Sequence, residues 1–262
     1  MQGRVLIIAG SDSGGGAGIQ ADIKTVTAMG GYAATAVTAV TVQDTKGVYA
    51  VHEVPPHIIR EQIKVVLGDI GADAIKIGMV GSTAAAQAIL EALDREGLPP
   101  IVLDPVLVAT SGDSLGGSDV ANLLRDVFVP QSAVVTPNLP ELAALTGLPT
   151  DEFSAIQRAA EMLLTKGAKA VLAKGGHGES DTITDLLLTP SGQQGFSHPR
   201  LETSNTHGTG CTLASAIATG LAQGLALDAA TERAIAATVR AIQAAPGFGS
   251  GHGPLGHGAM AD

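Results

Sequence analysis

At 262 residues, with 45% hydrophobic side chains and a positive mean hydropathy, the chain holds enough apolar material for one large two-sided domain spanning 1–262. Aromatics make up only 2% and tryptophan is absent, so the core must come from Ala, Val, Leu and Ile. A formal net charge of −10 with fifteen dispersed Lys and Arg argues against a nucleic-acid partner. The single cysteine excludes an internal disulfide, and the apolar start is too brief for a signal peptide or a membrane span, so a cytoplasmic protein with no membrane partner is expected.

Short apolar runs alternate with segments of helical period. Strands are expected at 5–9, 36–42, 74–77, 101–103, 133–136 and 170–173, and helices at 17–29, 56–67, 83–95, 119–127, 139–145 and 152–166. Continuous apolar runs suit strands covered on both faces, and the alternation is that of βαβ units in a mainly parallel sheet, which sets the fold class as α/β. After residue 180 the pattern changes. The stretches 182–188 and 194–197 read as a hairpin-like antiparallel pair at one sheet edge, followed by Ala-rich helices at 212–223 and 228–244, and the glycine-rich tail 247–258 reads as low complexity. Ligands of open α/β sheets bind beyond the carboxyl ends of the strands, so the residues after each strand are the ones to inspect.

After the first strand comes a glycine-rich turn, Gly10-Ser11-Asp12-Ser13-Gly14-Gly15-Gly16-Ala17-Gly18, where backbone can touch a small ligand; a plain turn with a helix cap from Ser13 is the alternative. A dinucleotide fingerprint fits only loosely and lacks the acidic residue that reads a ribose, and no Gly-Lys-Ser or Gly-Lys-Thr marks a P-loop. Gln43 ends a strand and offers an acceptor and a donor pair to a heteroaromatic edge, although a glutamine at a strand end is more often simply solvated. Met79, after Lys76-Ile77-Gly78, suits contact with a flat ring or ordinary core packing. Asp104 closes an apolar strand, facing either a metal–phosphate group or the Gly- and Ser-rich loop 109–117, which is a candidate for closing over substrate.

In Thr136-Pro137-Asn138-Leu139-Pro140-Glu141 the spacing of Asn138 and Glu141 is that of a capping box; the same two side chains could hold a hydrated magnesium ion. Lys174 ends a core strand just before Gly175-Gly176-His177-Gly178, where an ammonium would reach a phosphate. The seven histidines show no metal-ligand spacing. The most informative run is Asn205-Thr206-His207-Gly208-Thr209-Gly210-Cys211, directly before an apolar helix. Gly208 and Gly210 permit close backbone approach, and the helix start supplies unpaired amides with partial positive charge, which makes an anion cradle. A thiol at such a helix start is expected to ionise readily, making Cys211 a candidate base.

Taken together, the segments 9–22, 76–79, 103–106, 135–141, 174–177 and 205–211 resemble the bacterial hydroxymethylpyrimidine and phosphomethylpyrimidine kinases of the ribokinase-like superfamily, over nearly the whole chain. The resemblance implies a three-layer ribokinase-like sandwich with no separate lid domain, ATP and Mg2+ as co-reactants, usually a homodimer, and two successive phosphorylations of a pyrimidine alcohol in thiamin biosynthesis. It also implies that Gln43 hydrogen-bonds the aminopyrimidine in a pocket lined by Gly10, Ala17, Met79 and Val106. Lys174, Thr209 and Asn138 would face the nucleotide, and Glu141, Asn138 and Asp104 the metal. Asp44 stands where the family often shows Asn. A pyridoxine or pyridoxal kinase and a non-catalytic nucleotide-binding regulator are the competing readings.

Overall fold

The computed structural model describes residues 2–94, 96–107, 117–176 and 181–261. Most of the expected closing loop 109–117, together with His177 and Gly178, lies outside the described residues.

The elements in chain order are β1 (Arg4–Asp12), α1 (Gly18–Ala28), β2 (Tyr32–Gln43), β3 (Val48–Glu53), α2 (Pro56–Asp69), β4 (Ala74–Ile77), α3 (Thr83–Leu93), β5 (Ile101–Leu103) and α4 (Ser118–Leu123). A π turn and a 3-10 turn extend α4, and then come β6 (Val134–Val135), α5 (Leu139–Thr146), α6 (Phe153–Thr165), β7 (Val171–Ala173), β8 (Thr182–Thr189), β9 (Gly192–Pro199), α7 (Thr209–Ala222) and α8 (Leu227–Gln243). The strands form one nine-stranded sheet in the order β3-β2-β1-β4-β5-β6-β7-β8-β9. From β2 through β7 neighbours run parallel, and β8 and β9 add the antiparallel pair expected at one edge. The opposite edge also carries an antiparallel strand, β3, that the sequence did not signal.

Strand alternation sends side chains to two cores. Leu6, Ile8, Ile75, Ile77 and Leu103 pack under α2 to α6, whereas Val5, Ile7, Ala74, Val102 and Leu172 pack under α1, α7 and α8. The result is a three-layer α/β/α sandwich with the core on both sheet faces. Small residues let α7 sit close to its neighbours: a Cβ on Gly220 would lie 2.8 Å from that of Ala230 in α8. The tail is not loose. Leu255 and Met260 are buried in the α7–α8 core, and Gly253 O accepts the amide of His207 at 3.1 Å. Among the described residues no helix is long and apolar enough to cross a membrane.

Candidate active site

Strand ends and helix starts converge on a cavity of about 850 Å³ along the carboxyl edge of the parallel strands. Its wall brings together the residues singled out in the sequence. Gly10, Ala17, Gln43, Met79 and Val106 lie in it, as do Asp104, Asn138, Glu141 and Lys174, and the helix start supplies Gly208, Thr209, Gly210 and Cys211.

The floor is the opening of α7. Gly208 caps the helix with φ 82, a left-handed conformation that favours glycine, and a Cβ there would overlap the carbonyl oxygen of Gly16. The Thr209 amide donates to Thr206 O and the Thr212 amide to Gly208 O, whereas the amides of Gly210 and Cys211 have no partner within the helix. Next to Gly210 stands Lys174, at the end of β7, with 12% of its side chain exposed. Its Nζ lies 3.2 Å from Asp104 Oδ1 and 3.8 Å from Glu141 Oε2. Burial works against the ammonium, but Asp104 and Glu141 hold its pKa above the ordinary lysine value.

Asn138 and Glu141 form the expected capping box: Asn138 Oδ1 accepts from the Glu141 amide and Glu141 Oε2 from the Asn138 amide, both at 2.8 Å. Burial lifts the Glu141 carboxyl to about 7, against the pull of Lys174. Asp104 is buried, and among the described residues its Oδ2 is the one buried side-chain polar atom without a hydrogen-bond partner. An orphaned carboxylate oxygen beside Glu141 and an anion cradle fits a divalent cation that takes few protein ligands. Asn138, with its side-chain oxygen committed to the cap, fits that role less well.

The expectation of an easily ionised Cys211 is not met. Burial pushes the thiol up to about 12, with Asp22 and Asp104 adding to the effect and Lys76 opposing it. The helix start alone does not offset a half-buried setting near two carboxylates. Ser13 does not cap α1 either. Its Oγ donates to Gln43 O at 2.8 Å and accepts the Gln43 amide at 2.9 Å, and the cap position is Ala17.

Several residues at the site were not singled out. Lys76 is buried within an apolar strand, where alternation turns it toward α1 and α7. There its Nζ meets both Asp22 oxygens at 3.0 and 2.9 Å, while Ser215 Oγ donates to the same carboxylate at 2.7 Å. Asp12 accepts from the amides of Gly14, Gly16 and Ala17, and its Oδ2 lies 2.9 Å from His207 Nε2. The cavity wall also includes the apolar side chains Ala144, Leu201, Val239 and Ile242. Asp12 and His207 sit inside the motifs quoted above, but nothing in their spacing signals that they meet.

Residues 12–256 match the model of the phosphomethylpyrimidine kinase family. The chain is 44% identical over 256 residues to a thiamine biosynthesis bifunctional protein of Geobacter sulfurreducens, covering 98% of this chain and 52% of that protein. It is 41% identical over 255 residues to the hydroxymethylpyrimidine/phosphomethylpyrimidine kinase of Bacillus subtilis, covering 97% and 94%. Among solved structures, pyridoxal kinase from Staphylococcus aureus in complex with ADP superposes with a TM-score of 0.91 at 32% identity, covering 99% of this chain and 94% of that one. The ribokinase-like sandwich, the convergent cavity and these similarities together place the chain in the phosphomethylpyrimidine kinase family.

Proposed function

We propose that this chain is a single kinase domain that transfers the γ-phosphoryl group of ATP to the hydroxymethyl oxygen of an aminopyrimidine and then to the resulting monophosphate. The observation that carries this reading is Lys174 standing against Gly210 at the opening of α7, where two amides with no partner among the described residues and an ammonium belong to the wall of the same cavity. Charge that spreads over the equatorial phosphoryl oxygens in a loose transition state is stabilised by such fixed donors.

Gln43, Gly10, Ala17, Met79 and Val106 form the part of the cavity wall that takes the heterocycle, and Ala144, Val239 and Ile242 suit the nucleotide base. Asp104 and Glu141 would hold Mg2+, which when bound neutralises phosphate charge. With a thiol at about 12, Cys211 keeps its own proton at neutral pH, so the acceptor hydroxyl loses its proton late, onto an oxygen of the incoming phosphoryl group. The second acceptor is a phosphate monoester that is already ionised, and it needs no base at all.

The exposed side chains Val40, Val42, Tyr49 and Val51 at the β2–β3 edge suit a homodimer contact, and sedimentation of Val42→Lys against the parent chain tests it. A free cysteine and the use of ATP fit a cytoplasmic setting.

A second reading, pyridoxal kinase, draws on the TM-score of 0.91 to the Staphylococcus aureus enzyme. Turnover of the pyrimidine alcohol and of pyridoxal at one ATP concentration decides between them. The first reading expects kcat/KM for the pyrimidine to be higher, and a preference for pyridoxal would overturn it.

A further inference from the structure

Asp12 and His207 meet across 195 residues of sequence, His207 Nε2 lying 2.9 Å from Asp12 Oδ2. Glycine at position 16 makes the meeting possible, since a Cβ there would overlap the imidazole ring. The same Oδ2 accepts the amides of Gly16 at 2.9 Å and Ala17 at 2.8 Å, and Oδ1 accepts that of Gly14 at 2.7 Å. Burial opposes the charge, but the bonds from His207, Ala17 and Gly14 keep the Asp12 pKa below the usual carboxylate value, so this oxygen is an acceptor and not a donor. A lone pair on His207 Nε2 would face a carboxylate oxygen at 2.9 Å, so that nitrogen must carry a proton.

That proton has a consequence for Gln43. The near end of its carboxamide lies 3.5 Å from His207 Nε2. An NH2 group there would set donor against donor. The other end lies 3.0 Å from Thr41 Oγ1, which is also 3.0 Å from the carbonyl oxygen of Ser11. The hydroxyl has one proton and cannot donate to both. Turning the amide over by half a turn resolves both conflicts: Thr41 donates to Ser11 O and accepts from the Gln43 NH2, and the Gln43 oxygen faces the His207 Nε2–H.

We propose that His207 is a positioning residue, oriented by Asp12, that fixes which way the Gln43 carboxamide points and thereby which donor–acceptor pattern the cavity presents to the heterocycle. In this arrangement one Gln43 N–H and one oxygen lone pair remain for a ligand, the complement of a ring nitrogen beside an exocyclic amine. The backbone of His207 leads directly into Gly208, so the residue that orients the reader of the ring also enters the anion cradle. The inference rests on Gln43 reading the heterocycle, as assigned above.

The test has two arms. Long-range nitrogen–proton NMR of the ligand-free protein reports the His207 tautomer whatever the substrate is. A protonated Nε2 is expected, and a bare Nε2 with the proton on Nδ1 would overturn the proposal. Steady-state kinetics then compare His207→Gln, which keeps an N–H at similar reach, with His207→Leu, which has none. His207→Leu is expected to raise KM for the pyrimidine about tenfold while KM for ATP changes less than about twofold, and His207→Gln to restore most of the loss. Equal effects of the two substitutions, or equal rises in both KM values, would overturn it. If His207→Leu does not fold, the tautomer arm stands alone. A parent chain with no pyrimidine turnover but a protonated Nε2 would sink the functional reading and leave the orientation of His207 intact.

Discussion

Gly210 and Lys174 are fitted to one another: a Cβ on Gly210 would lie 3.1 Å from the lysine Nζ, with both Asp104 oxygens 3.8 Å away. Position 210 belongs to the first turn of α7 and has no left-handed backbone, so alanine suits the helix there better than glycine. The Gly210→Ala protein is expected to unfold within about 1 kcal/mol of the parent, because the helix gain is set against the shift that the ion-paired ammonium must make. Its kcat/KM should nevertheless fall at least about tenfold, because the methyl group displaces the ammonium that faces the phosphoryl group. Chemical denaturation and steady-state assays on one preparation check both halves.

Removing a fixed charge and removing a neutral thiol should differ widely. Lys174→Ala is expected to lower kcat about 10²- to 10³-fold, in the range seen for deleting a preorganised donor. Cys211→Ala should stay within about tenfold of the parent, short of the loss expected for a general base. Side-by-side rate measurements at saturating ATP decide this, and a loss in Cys211→Ala as deep as in Lys174→Ala would return the thiol to the mechanism.

Glu141 links the site to pH. Its carboxyl is raised from 4.5 to about 7 in the folded protein, so the stability it contributes is present below pH 4.5 and is lost as pH rises toward 7. Thermal unfolding of the ligand-free protein across that window should show this slope, and Glu141→Gln should flatten it. The ionised carboxylate that a cation requires appears over the same range, so KM for ATP with magnesium is expected to fall as pH rises through 7 in the parent only.

His257 acts in the opposite direction. It is buried with Nε2 3.0 Å from Thr212 Oγ1, and burial lowers its pKa from 6.5 to about 4. The unfolded chain therefore takes up a proton that the folded one refuses, and stability present above pH 6.5 is lost as pH falls toward 4. Equilibrium denaturation at pH 7 and pH 5 checks this, with His257→Gln expected to show a smaller difference.

The buried pair of Lys76 and Asp22 should be costly to break from one side. Lys76→Met leaves the Asp22 carboxylate with Ser215 alone in a dry setting, and a loss of about 3–5 kcal/mol is expected from urea unfolding.

Strands such as Ala74–Ile77 and helices such as Phe153–Thr165 were legible because burial on one or both faces imposes a hydrophobic period. β3 was not, because Val48–Glu53 is largely solvent-exposed and needs no apolar run. The tail misled for another reason. Its glycines look like looseness in composition but serve close approach, since a Cβ on Gly251 would overlap Thr45 O and one on Gly256 would overlap Ala244 O. At the site, Gly10, Gln43, Met79, Asp104, Asn138 and Lys174 line the cavity because the topology brings the strand ends together, whereas Ser13 to Gly16 of the first turn do not line it. The pairings of Lys76 with Asp22 and of His207 with Asp12 were hidden, since each joins residues distant in sequence whose contact depends on tertiary packing. The ease of ionising the thiol was misjudged because a helix start is visible in sequence and the nearness of Asp22 and Asp104 is not.

The most direct test of the central claim is the mass of the product formed from ATP, with hydroxymethylpyrimidine and its monophosphate supplied in separate reactions. The account predicts the monophosphate and then the diphosphate from the alcohol, the diphosphate from the monophosphate, and stoichiometric ADP in each. No phosphorylated pyrimidine in either reaction, with the protein folded and pyridoxal converted under the same conditions, would contradict it.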